Sequence, residues 1–353
     1  MALSSKTGFT KQQRYLLLVA LFAVIAGLVF YGIFKSNLSS PKKDKLTREQ
    51  AAQDILAESA TSTISFLNGL EVPLASASSC VAIMIDNAPE VERQFGLNKA
   101  SLVYEAPVEG GRTRFMAVYG LATSTVATIG PVRSARPYFL DWVQELGCLY
   151  AHVGGSNEAL EKIKNLEIND LNEFYNGGYF WRNKKYTAPH NTFTDIETLA
   201  QAWEKTGNKD EQRVIKSWLF AKKEAKILPA GINYFEEQIG DLKVSWSFDQ
   251  NLKKWKRFVN NKAAKDNVGT ITAKNVVFQY VWGEVLDEVG RLSLQTIGSG
   301  RAVILKEGNV IEGRWEKKSA GSRTRFFGPD TKEMEFNPGL IWVEVATKIS
   351  EGY

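Results

Sequence analysis

A run of twenty uncharged residues, Tyr15 to Phe34, constrains the fold of this chain more than any other feature of its sequence. At about 1.5 Å per residue, a helix of this length matches the hydrocarbon thickness of a bilayer. Tyr15 and Tyr31 lie near the two ends of the run, where aromatic rings favour the headgroup boundary. The run predicts a transmembrane helix over 15–34; a cleaved signal peptide and a buried core helix are the alternatives.

The charges that flank this run do not settle its orientation. Three basic residues precede it, and five follow it closely: Lys6, Lys11 and Arg14, then Lys35, Lys42, Lys43, Lys45 and Arg48. The positive-inside rule would keep the C-terminal part in the cytoplasm, although long domains cross membranes largely regardless of such counts. We expect residues 1–14 to be a cytoplasmic tail and the polar stretch 35–79 to be a tether.

The composition of the whole chain is that of an ordinary globular protein. Its 353 residues suffice for two hydrophobic cores, and the hydrophobic fraction of 44% and charged fraction of 24% argue against disorder. The net charge is +5, with the basic residues mixed among 39 acidic ones. A nucleic-acid-binding protein concentrates its basic residues on one face, so no nucleic acid partner is predicted.

The pattern after Cys80 alternates strands with helices and predicts an α/β domain over 80–229. The predicted elements are strands at 81–86, 101–108, 114–120 and 148–155, a shorter apolar run at 126–130, and helices at 134–146, 156–164, 194–205 and 211–222. This order indicates a mixed or parallel sheet covered by helices. Short strands separated by turns follow, including a hairpin turn at Gly308-Asn309, and predict a smaller β-rich domain over 230–353.

The chain has two cysteines, Cys80 and Cys148, and each opens an apolar run that is typical of a buried strand. Two neighbouring parallel strands that begin at the same level would bring the sulfurs within bonding distance. A disulfide would indicate an oxidising compartment. Two buried free thiols are the alternative, and two such distant cysteines do not by themselves predict a metal site.

Ordered sequence blocks identify a resemblance that covers residues 65–350. They read LNGLEVPL (67–74), VAIMIDNAPE (81–90), LVYEAPVEGGRTRFMAVY (102–119), IGPVRSARPYFLDW (129–142), YAHVGGS (150–156) and APHNTFT (188–194), followed by AKNVVFQ (273–279), SGRAVILKEGNVIEGRW (299–315), SRTRFF (322–327) and NPGLIWVEV (337–345). With these blocks the chain resembles the YerB-like family of bacterial lipoproteins, whose two halves are domains of unknown function.

This resemblance implies an extracytoplasmic protein attached to the cell envelope, with an α/β domain followed by a β-rich one. It supplies no known activity, cofactor or catalytic residue. Lipoproteins of the family attach through a lipidated cysteine, but no cysteine precedes Cys80 here. We therefore expect the 15–34 helix to replace the lipid anchor, as a single span of the cytoplasmic membrane with the domains outside.

Arginines and carboxylates are densest in two stretches, VEGGRTR at 108–114 and GPVRSARP at 130–137. Guanidinium groups match carboxylate and phosphate bidentately, so an arginine cluster can clamp an anion. Ser134 and the amides at the start of the 134–146 helix could add donors. The predicted clamp is Arg112, Arg114, Arg133, Ser134 and Arg136, with Asp86, Asn87, Glu105 and Glu109 as cleft carboxylates and polar groups. The alternative is an internal network that braces the loops.

The only two histidines, His152 and His190, lie in blocks that carry the resemblance. The predicted cleft lining is His152, Gly154, Gly155, Ser156, His190 and Asn191, where the glycines could present amides to an anion. A spacing of 38 residues between histidines is no ligand signature, so neither a metal nor another cofactor is predicted. Farther along, the stretch Arg323 to Arg325 is interpreted as a solvated strand face rather than a second recognition strip.

Three functions are compatible with these residues. The first is an envelope protein that binds an anionic ligand in the arginine–carboxylate cleft or scaffolds an envelope complex. The second is a hydrolase that acts on envelope glycan or phosphoester bonds, with Glu105 or Glu109 as general acid or base beside a histidine. The third is a purely structural partner of another envelope protein, in which the arginines only brace loops. The sequence leaves open whether there is any catalytic activity.

Overall fold

The computed structural model describes residues 11–38, 61–74, 77–121, 124–206, 216–222 and 233–350. The chain divides into two compact units, Met1–Thr61 and Ser62–Tyr353. Four α-helices lie in the described residues, and their bounds are α1 Lys11–Leu38, α2 Phe139–Leu146, α3 Asn157–Asn165 and α4 Ile196–Thr206. The described residues also contain the 3₁₀ turns Leu97–Lys99 and Gly177–Tyr179.

Helix α1 contains the apolar run that the sequence predicts to cross a membrane. Its described large apolar side chains, such as Leu21, Phe22 and Phe30, are exposed. The side chains of several other residues in this helix, Leu17 to Val19 among them, lie outside the described part of the structure. Over the described residues, no helix has the length and apolar character required of a membrane span, so the predicted transmembrane helix is not supported.

The second unit is dominated by β-structure. Its strands are β1 Ser62–Ile64, β2 Glu71–Pro73, β3 Cys80–Asp86, β4 Leu102–Pro107, β5 Thr113–Gly120, β6 Leu149–His152, β7 Asp170–Asn172, β8 Trp181–Arg182, β9 Thr192–Phe193, β10 Leu219–Phe220, β11 Tyr234–Ile239, β12 Leu242–Asp249, β13 Lys254–Val259, β14 Lys262–Ala263, β15 Lys265–Asp266, β16 Gly269–Thr270, β17 Thr272–Ala273, β18 Asn275–Val285, β19 Leu292–Leu294, β20 Gly298–Lys306, β21 Asn309–Lys317, β22 Arg325–Phe327, β23 Glu335–Phe336 and β24 Ile341–Ser350.

One large mixed sheet forms the centre of this unit, in the order β22-β21-β20-β18-β24-β4-β5-β3-β6-β7, with β19 paired to β18. Strand β24 lies in its middle and runs parallel to both neighbours, β18 and β4. The predicted α/β part and β-rich part are both present, and both contribute strands to this sheet. The predicted boundary between residues 229 and 230 stays a prediction.

Both faces of the large sheet are buried at β3, which explains the uninterrupted apolar sequence of this strand. Ala82 and Met84 face one core, which also contains Trp142 of α2. Val81, Ile83 and Ile85 face the other core, which is closed by tryptophans of a second sheet, β11-β12-β13-β14 with β17. Successive residues of β3 therefore alternate between two cores rather than between core and solvent.

Two predicted helices differ from the structure. Helix α2 begins at Phe139 rather than at residue 134 because Pro137 disfavours helical backbone at the residue before it. Ala135 instead bridges to Gly155. Of the predicted 211–222 helix, residues 211–215 lie outside the described residues, and β10 replaces a helix farther along. Strand β10 pairs in parallel with β23, so a long-range contact overrides the local helical composition.

The predicted proximity of the cysteines is confirmed. Strands β3 and β6 are parallel neighbours, with Val81 opposite Leu149, and Cys80 is bonded to Cys148. Their Cα atoms are 4.8 Å apart. The sequence left a disulfide and two free thiols open, and the structure has the disulfide.

Candidate functional site

The candidate site lies where β3 ends beside the start of its antiparallel neighbour β5. Asp86, the last residue of β3, is opposite Arg114 on β5. The extended segment 131–133 runs along the end of β3: the Asp86 amide donates to the Pro131 carbonyl, and the Arg133 amide donates to the Met84 carbonyl at 2.9 Å. Backbone pairing therefore delivers Asp86, Arg114 and Arg133 to one place, although up to 47 residues separate them in the sequence.

A tight turn from β4 to β5 supplies the other charged groups. Gly110 and Gly111 both have φ of +68°, a left-handed conformation that glycine adopts without steric cost. The Val108 amide donates to the Arg112 carbonyl and closes the turn at 2.8 Å. This geometry places Glu109 and Arg112 on either side of the two glycines, at the mouth of the site.

These elements enclose a cavity of about 330 Å³, which we name the arginine pocket. Its charged lining comprises four guanidinium groups and two carboxylates, those of Arg112, Arg114, Arg133, Arg136, Asp86 and Glu109. The structure thus brings all four predicted arginines together. Ser134 contributes its backbone carbonyl, which accepts a hydrogen bond from Arg114 Nη1 at 2.7 Å, and its hydroxyl is not among the groups that line the pocket.

Three of the four arginines are paired with carboxylates. Arg133 Nε lies 2.8 Å from Asp86 Oδ2, an ion pair whose angle does not form a hydrogen bond. Arg136 Nε donates to Glu109 Oε1 at 2.6 Å, and Arg112 pairs with Glu90 at 3.2 Å on the exposed rim. The predicted bracing network is therefore real for these three arginines.

Arg114 differs from the other three because it forms no ion pair with a carboxylate among the described residues. The residue is buried, and its Nε lacks a hydrogen-bond partner. Burial, with the charges of Arg136 and Arg133, lowers the pKa of Arg114 to about 10. The guanidinium remains charged at neutral pH, so the pocket holds excess positive charge that an anion would balance.

The pKa of Glu109 shows how strong the local positive field is. Burial alone would raise this pKa, but the hydrogen bond and charge of Arg136 outweigh burial, and the pKa is lowered overall. Arg114 also contributes to the lowering. Glu109 is therefore ionised at neutral pH and suits the role of an arginine-orienting carboxylate rather than that of a general acid.

Asp86 connects the pocket to one of the two histidines. Its Oδ1 accepts the Ala88 amide at 3.0 Å, while His190 Nδ1 lies 2.6 Å from its Oδ2. Asp86 is 2% exposed, and the His190 side chain is 18% exposed. The pair fixes the orientation of the imidazole, as a carboxylate does for a histidine that acts as an acid or base.

Asn87 and Glu105 lie beneath the pocket rather than in its wall, contrary to the prediction. Asn87 Nδ2 donates to Thr113 Oγ1 at 2.6 Å and to Glu105 Oε1 at 3.2 Å. Glu105 is fully buried and also accepts from Arg257 Nη2. A ligand in the pocket cannot reach this carboxylate, so Glu105 supports Asn87 and Thr113 instead.

Arg257 bridges Glu105 to a second buried carboxylate, Glu344 of β24. Its Nε donates to Glu344 Oε1 at 3.2 Å, and its guanidinium lies over the Trp342 ring, 5.3 Å from the centroid. Burial, together with the charge of Glu105, raises the pKa of Glu344 well above the usual range. The two buried carboxylates share the single charge of Arg257, so ionisation of Glu344 is disfavoured.

His152 and the glycines after it are used internally. His152 is fully buried, and both ring nitrogens face acceptors, the Gly154 carbonyl at 2.7 Å and Asp170 Oδ1 at 2.6 Å. The Gly154 amide donates to Asn172 Oδ1, and the Ser156 amide donates to the Ala135 carbonyl. These two amides are not free for an anion, contrary to the prediction.

The remaining predicted residues occupy other positions. Gly155 packs against Ala135, where an added Cβ would lie 3.2 Å from the Ala135 Cβ. Ser156 caps α3 by accepting the Ala159 amide at 3.2 Å, as its sequence position predicts. Asn191 Oδ1 accepts from Arg182 at 3.1 Å on an exposed hairpin.

A second charged cluster, centred on Glu145 of α2, escaped the sequence reasoning. This buried carboxylate accepts from Lys317 Nζ, from Arg323 Nη1 at 3.1 Å and from the Thr324 hydroxyl at 2.7 Å. Arg323 and Thr324 are buried, so the predicted solvated face is wrong for them. A cavity of about 720 Å³ adjoins this cluster. Its wall includes Lys216, which is next to residues 207–215, and these lie outside the described residues.

Comparison with known proteins gives one consistent result. Residues 67–209 match the N-terminal domain of DUF3048, and residues 232–343 match its C-terminal domain, both described as protein of unknown function. The "Putative lipoprotein YerB" of Bacillus subtilis (strain 168) is 29% identical over 289 residues, which cover 77% of this chain and 84% of that protein. The crystal structure of the YerB protein from Bacillus subtilis superposes with a TM-score of 0.68 at 26% identity, covering 80% of this chain and 96% of that chain.

Proposed function

We propose that this chain, which belongs to the DUF3048 family of proteins of unknown function, binds an anionic ligand of the cell envelope in the arginine pocket. The observation that carries the proposal is Arg114, a buried guanidinium that forms no ion pair with a carboxylate among the described residues. A buried charge that no carboxylate pairs with costs stability unless a ligand or another group balances it. An oxyanion beside Arg114 would supply that balance.

The other arginines have defined roles in this proposal. Asp86 and Glu109 hold Arg133 and Arg136 in place at the pocket wall. Both arginines keep further N–H groups beyond the one that faces the carboxylate, because each guanidinium carries five donors. Arg112 lies on the exposed rim, where its charge would attract an anion without forming a buried contact.

Arg114→Gln is the cleanest substitution for testing the proposal, because it leaves no carboxylate without a partner. We expect inorganic phosphate to bind the full chain saturably in isothermal titration calorimetry. The affinity should fall at least about tenfold in Arg114→Gln, since a hydrogen bond between charged groups contributes about 1.5–3 kcal/mol. Arg114→Lys should bind with intermediate affinity because it keeps the charge but loses the planar donor geometry.

Arg301→Gln provides the control for net charge. Arg301 pairs with Glu312 on an exposed part of β20–β21 and does not line the pocket. This variant should bind phosphate as the unsubstituted chain does. If phosphate, sulfate and carboxylates all fail to bind, or if Arg114→Gln binds equally well, the pocket is not an anion site and its arginines only brace the fold.

Envelope location is part of the proposal. It is supported by the word lipoprotein in the name of the similar Bacillus subtilis protein and by the exposed apolar side chains of α1. We infer that residues 11–38 attach the chain to a membrane, with the second unit outside the cell. Fractionation with alkaline carbonate should leave the full chain in the membrane pellet and release a chain that lacks residues 1–38. Release of both would refute attachment through this segment.

A hydrolase is a second candidate function, and the Asp86–His190 pair favours it. His190 does not line the arginine pocket, but it contacts Asp86, which does. An imidazole held by a carboxylate of an oxyanion pocket is an arrangement that phosphoester hydrolysis could use. This pair replaces the Glu–His pair that the sequence predicts, because Glu105 is buried and Glu109 is held by Arg136. Turnover of p-nitrophenyl phosphate that His190→Gln abolishes without weakening phosphate binding would support the hydrolase, and the absence of turnover would dismiss it for that substrate class.

A further inference from the structure

A second cavity adjoins the arginine pocket and differs from it in character. It has a volume of about 220 Å³, and we name it the leucine pocket after Leu286, Leu292 and Leu294 in its wall. Glu109 and Arg136 line both cavities. The ion pair between these two residues therefore forms a common wall, and a ligand in one cavity lies next to the other.

The charged side chains that line the leucine pocket balance one another, with three basic and three acidic groups. Lys162 pairs with Asp141 at 2.8 Å, and Arg291 pairs with both Glu158 and Asp287. The Tyr138 hydroxyl, in the same wall, donates to the Pro107 carbonyl at 2.6 Å. These groups have their partners within the protein, so no ionic ligand group is required here, in contrast to the arginine pocket.

The loop after β18 exposes apolar side chains at the openings of both cavities. Leu286 is 55% exposed and lines the leucine pocket, while Val289 is 74% exposed and lines the arginine pocket. The loop has a defined shape, because Asp287 Oδ1 accepts the amides of Val289 and Arg291, each at 3.1 Å. Gly290 faces the β4–β5 turn, where an added Cβ would lie 3.8 Å from the Gly110 amide nitrogen.

We propose that the ligand is a lipid-like phosphate, whose head occupies the arginine pocket and whose apolar chain lies in the leucine pocket. This inference rests on the proposed function, because it requires anion binding in the arginine pocket. Excess positive charge in one cavity and balanced charge with leucines in the other are complementary to the two ends of such a molecule. Four guanidinium groups around one cavity suit a phosphate, which has several oxygens to accept them.

A series of alkyl phosphates tests this inference on the full chain. Inorganic phosphate and the methyl, ethyl, butyl and hexyl monoesters are titrated by calorimetry at concentrations where all remain monomeric. We expect the affinity to rise about fourfold for each methylene that enters the leucine pocket. The rise should stop when the pocket is filled, whereas partition into a detergent or membrane would continue with chain length.

The variant Leu286→Ser separates the contribution of the leucine pocket to binding from that of the arginine pocket. Leu252→Ser is its matched control. Leu286 and Leu252 are 55% and 52% exposed, so neither substitution disturbs a core, and Leu252 lies in the turn between β12 and β13. Leu286→Ser should bind inorganic phosphate normally. Its preference for the hexyl ester over inorganic phosphate should fall at least about fourfold, which is the effect of one buried methylene. Leu252→Ser should keep both properties.

The outcomes distinguish this inference from the proposed function. Phosphate binding with no dependence on chain length would overturn the lipid-like ligand and leave the anion site intact. Chain-length dependence that is unchanged in Leu286→Ser would also overturn it, because the apolar part would then lie elsewhere. Failure of every member of the series to bind would refute the anion site itself.

Discussion

At the scale of single residues, pairing with a carboxylate distinguishes Arg114 from the three other arginines of the arginine pocket. The sequence correctly indicates that Arg112, Arg114, Arg133 and Arg136 belong together, because they lie in two short stretches. It does not reveal that Arg114 alone lacks a carboxylate partner among the described residues. That difference depends on the pairing of β3 with β5, which no local pattern encodes.

Glu145 is a buried charge that stabilises the fold, and its removal gives a prediction at this scale. Removing this carboxylate in Glu145→Ala leaves Lys317 and Arg323 buried without their anion. We expect the free energy of unfolding at neutral pH to fall by about 3–5 kcal/mol, as is usual when one partner of a buried ion pair is removed. Urea unfolding measures the change. Glu158→Ala, on the exposed start of α3, should unfold almost as the unsubstituted chain does.

The effect of Glu145→Ala should also depend on pH. Burial raises the pKa of Glu145, but Lys317 and Arg323 outweigh burial and lower this pKa overall. A carboxylate with a lowered folded-state pKa contributes stability above its unfolded pKa, and that stability is lost as the pH falls through the folded pKa. The difference between the two proteins should therefore shrink below about pH 4.5. A constant difference down to acid pH would contradict the ionic origin of the effect.

At the scale of elements, the sequence predicts those that its local pattern determines. Strand β3 is predictable because six of its seven residues, Cys80 to Ile85, are apolar. All seven are buried in the structure. Strand β10 is not, because it exists through its pairing with β23, more than 110 residues away. The start of α2 is misplaced because helical spacing of apolar residues says nothing about the constraint that Pro137 imposes.

The disulfide between β3 and β6 is the testable feature at this scale. Its 68-residue separation predicts that the bond stabilises the fold by about 4 kcal/mol in the loop-closure model. The double variant Cys80→Ala/Cys148→Ala should lose about that much in urea unfolding, and reduction should destabilise the unsubstituted chain similarly. Thiol labelling of the unfolded, unreduced chain should detect no free cysteine; labelling of two would exclude the bond.

At the scale of the whole second unit, one strand joins the two halves of the chain. Strand β24, near the C-terminus, pairs Ile341 with Leu102 on one side and with Asn275 on the other. The change in sequence pattern near residue 229 gives no sign of this arrangement, because parallel pairing over such separations leaves no local signal. The candidate site also joins distant parts of the sequence, since Val289 lines a pocket whose other lining residues lie between 86 and 136.

Crystallography of the full chain with tungstate tests anion binding in the arginine pocket most directly. Tungstate is a tetrahedral oxyanion like phosphate, and its anomalous scattering locates it without ambiguity. We predict one strong peak in the arginine pocket, with oxygens within hydrogen-bonding distance of Arg114 and of Arg133 or Arg136, and its loss in Arg114→Gln. An empty arginine pocket, with tungstate absent or bound only near Arg323, would contradict the proposed function.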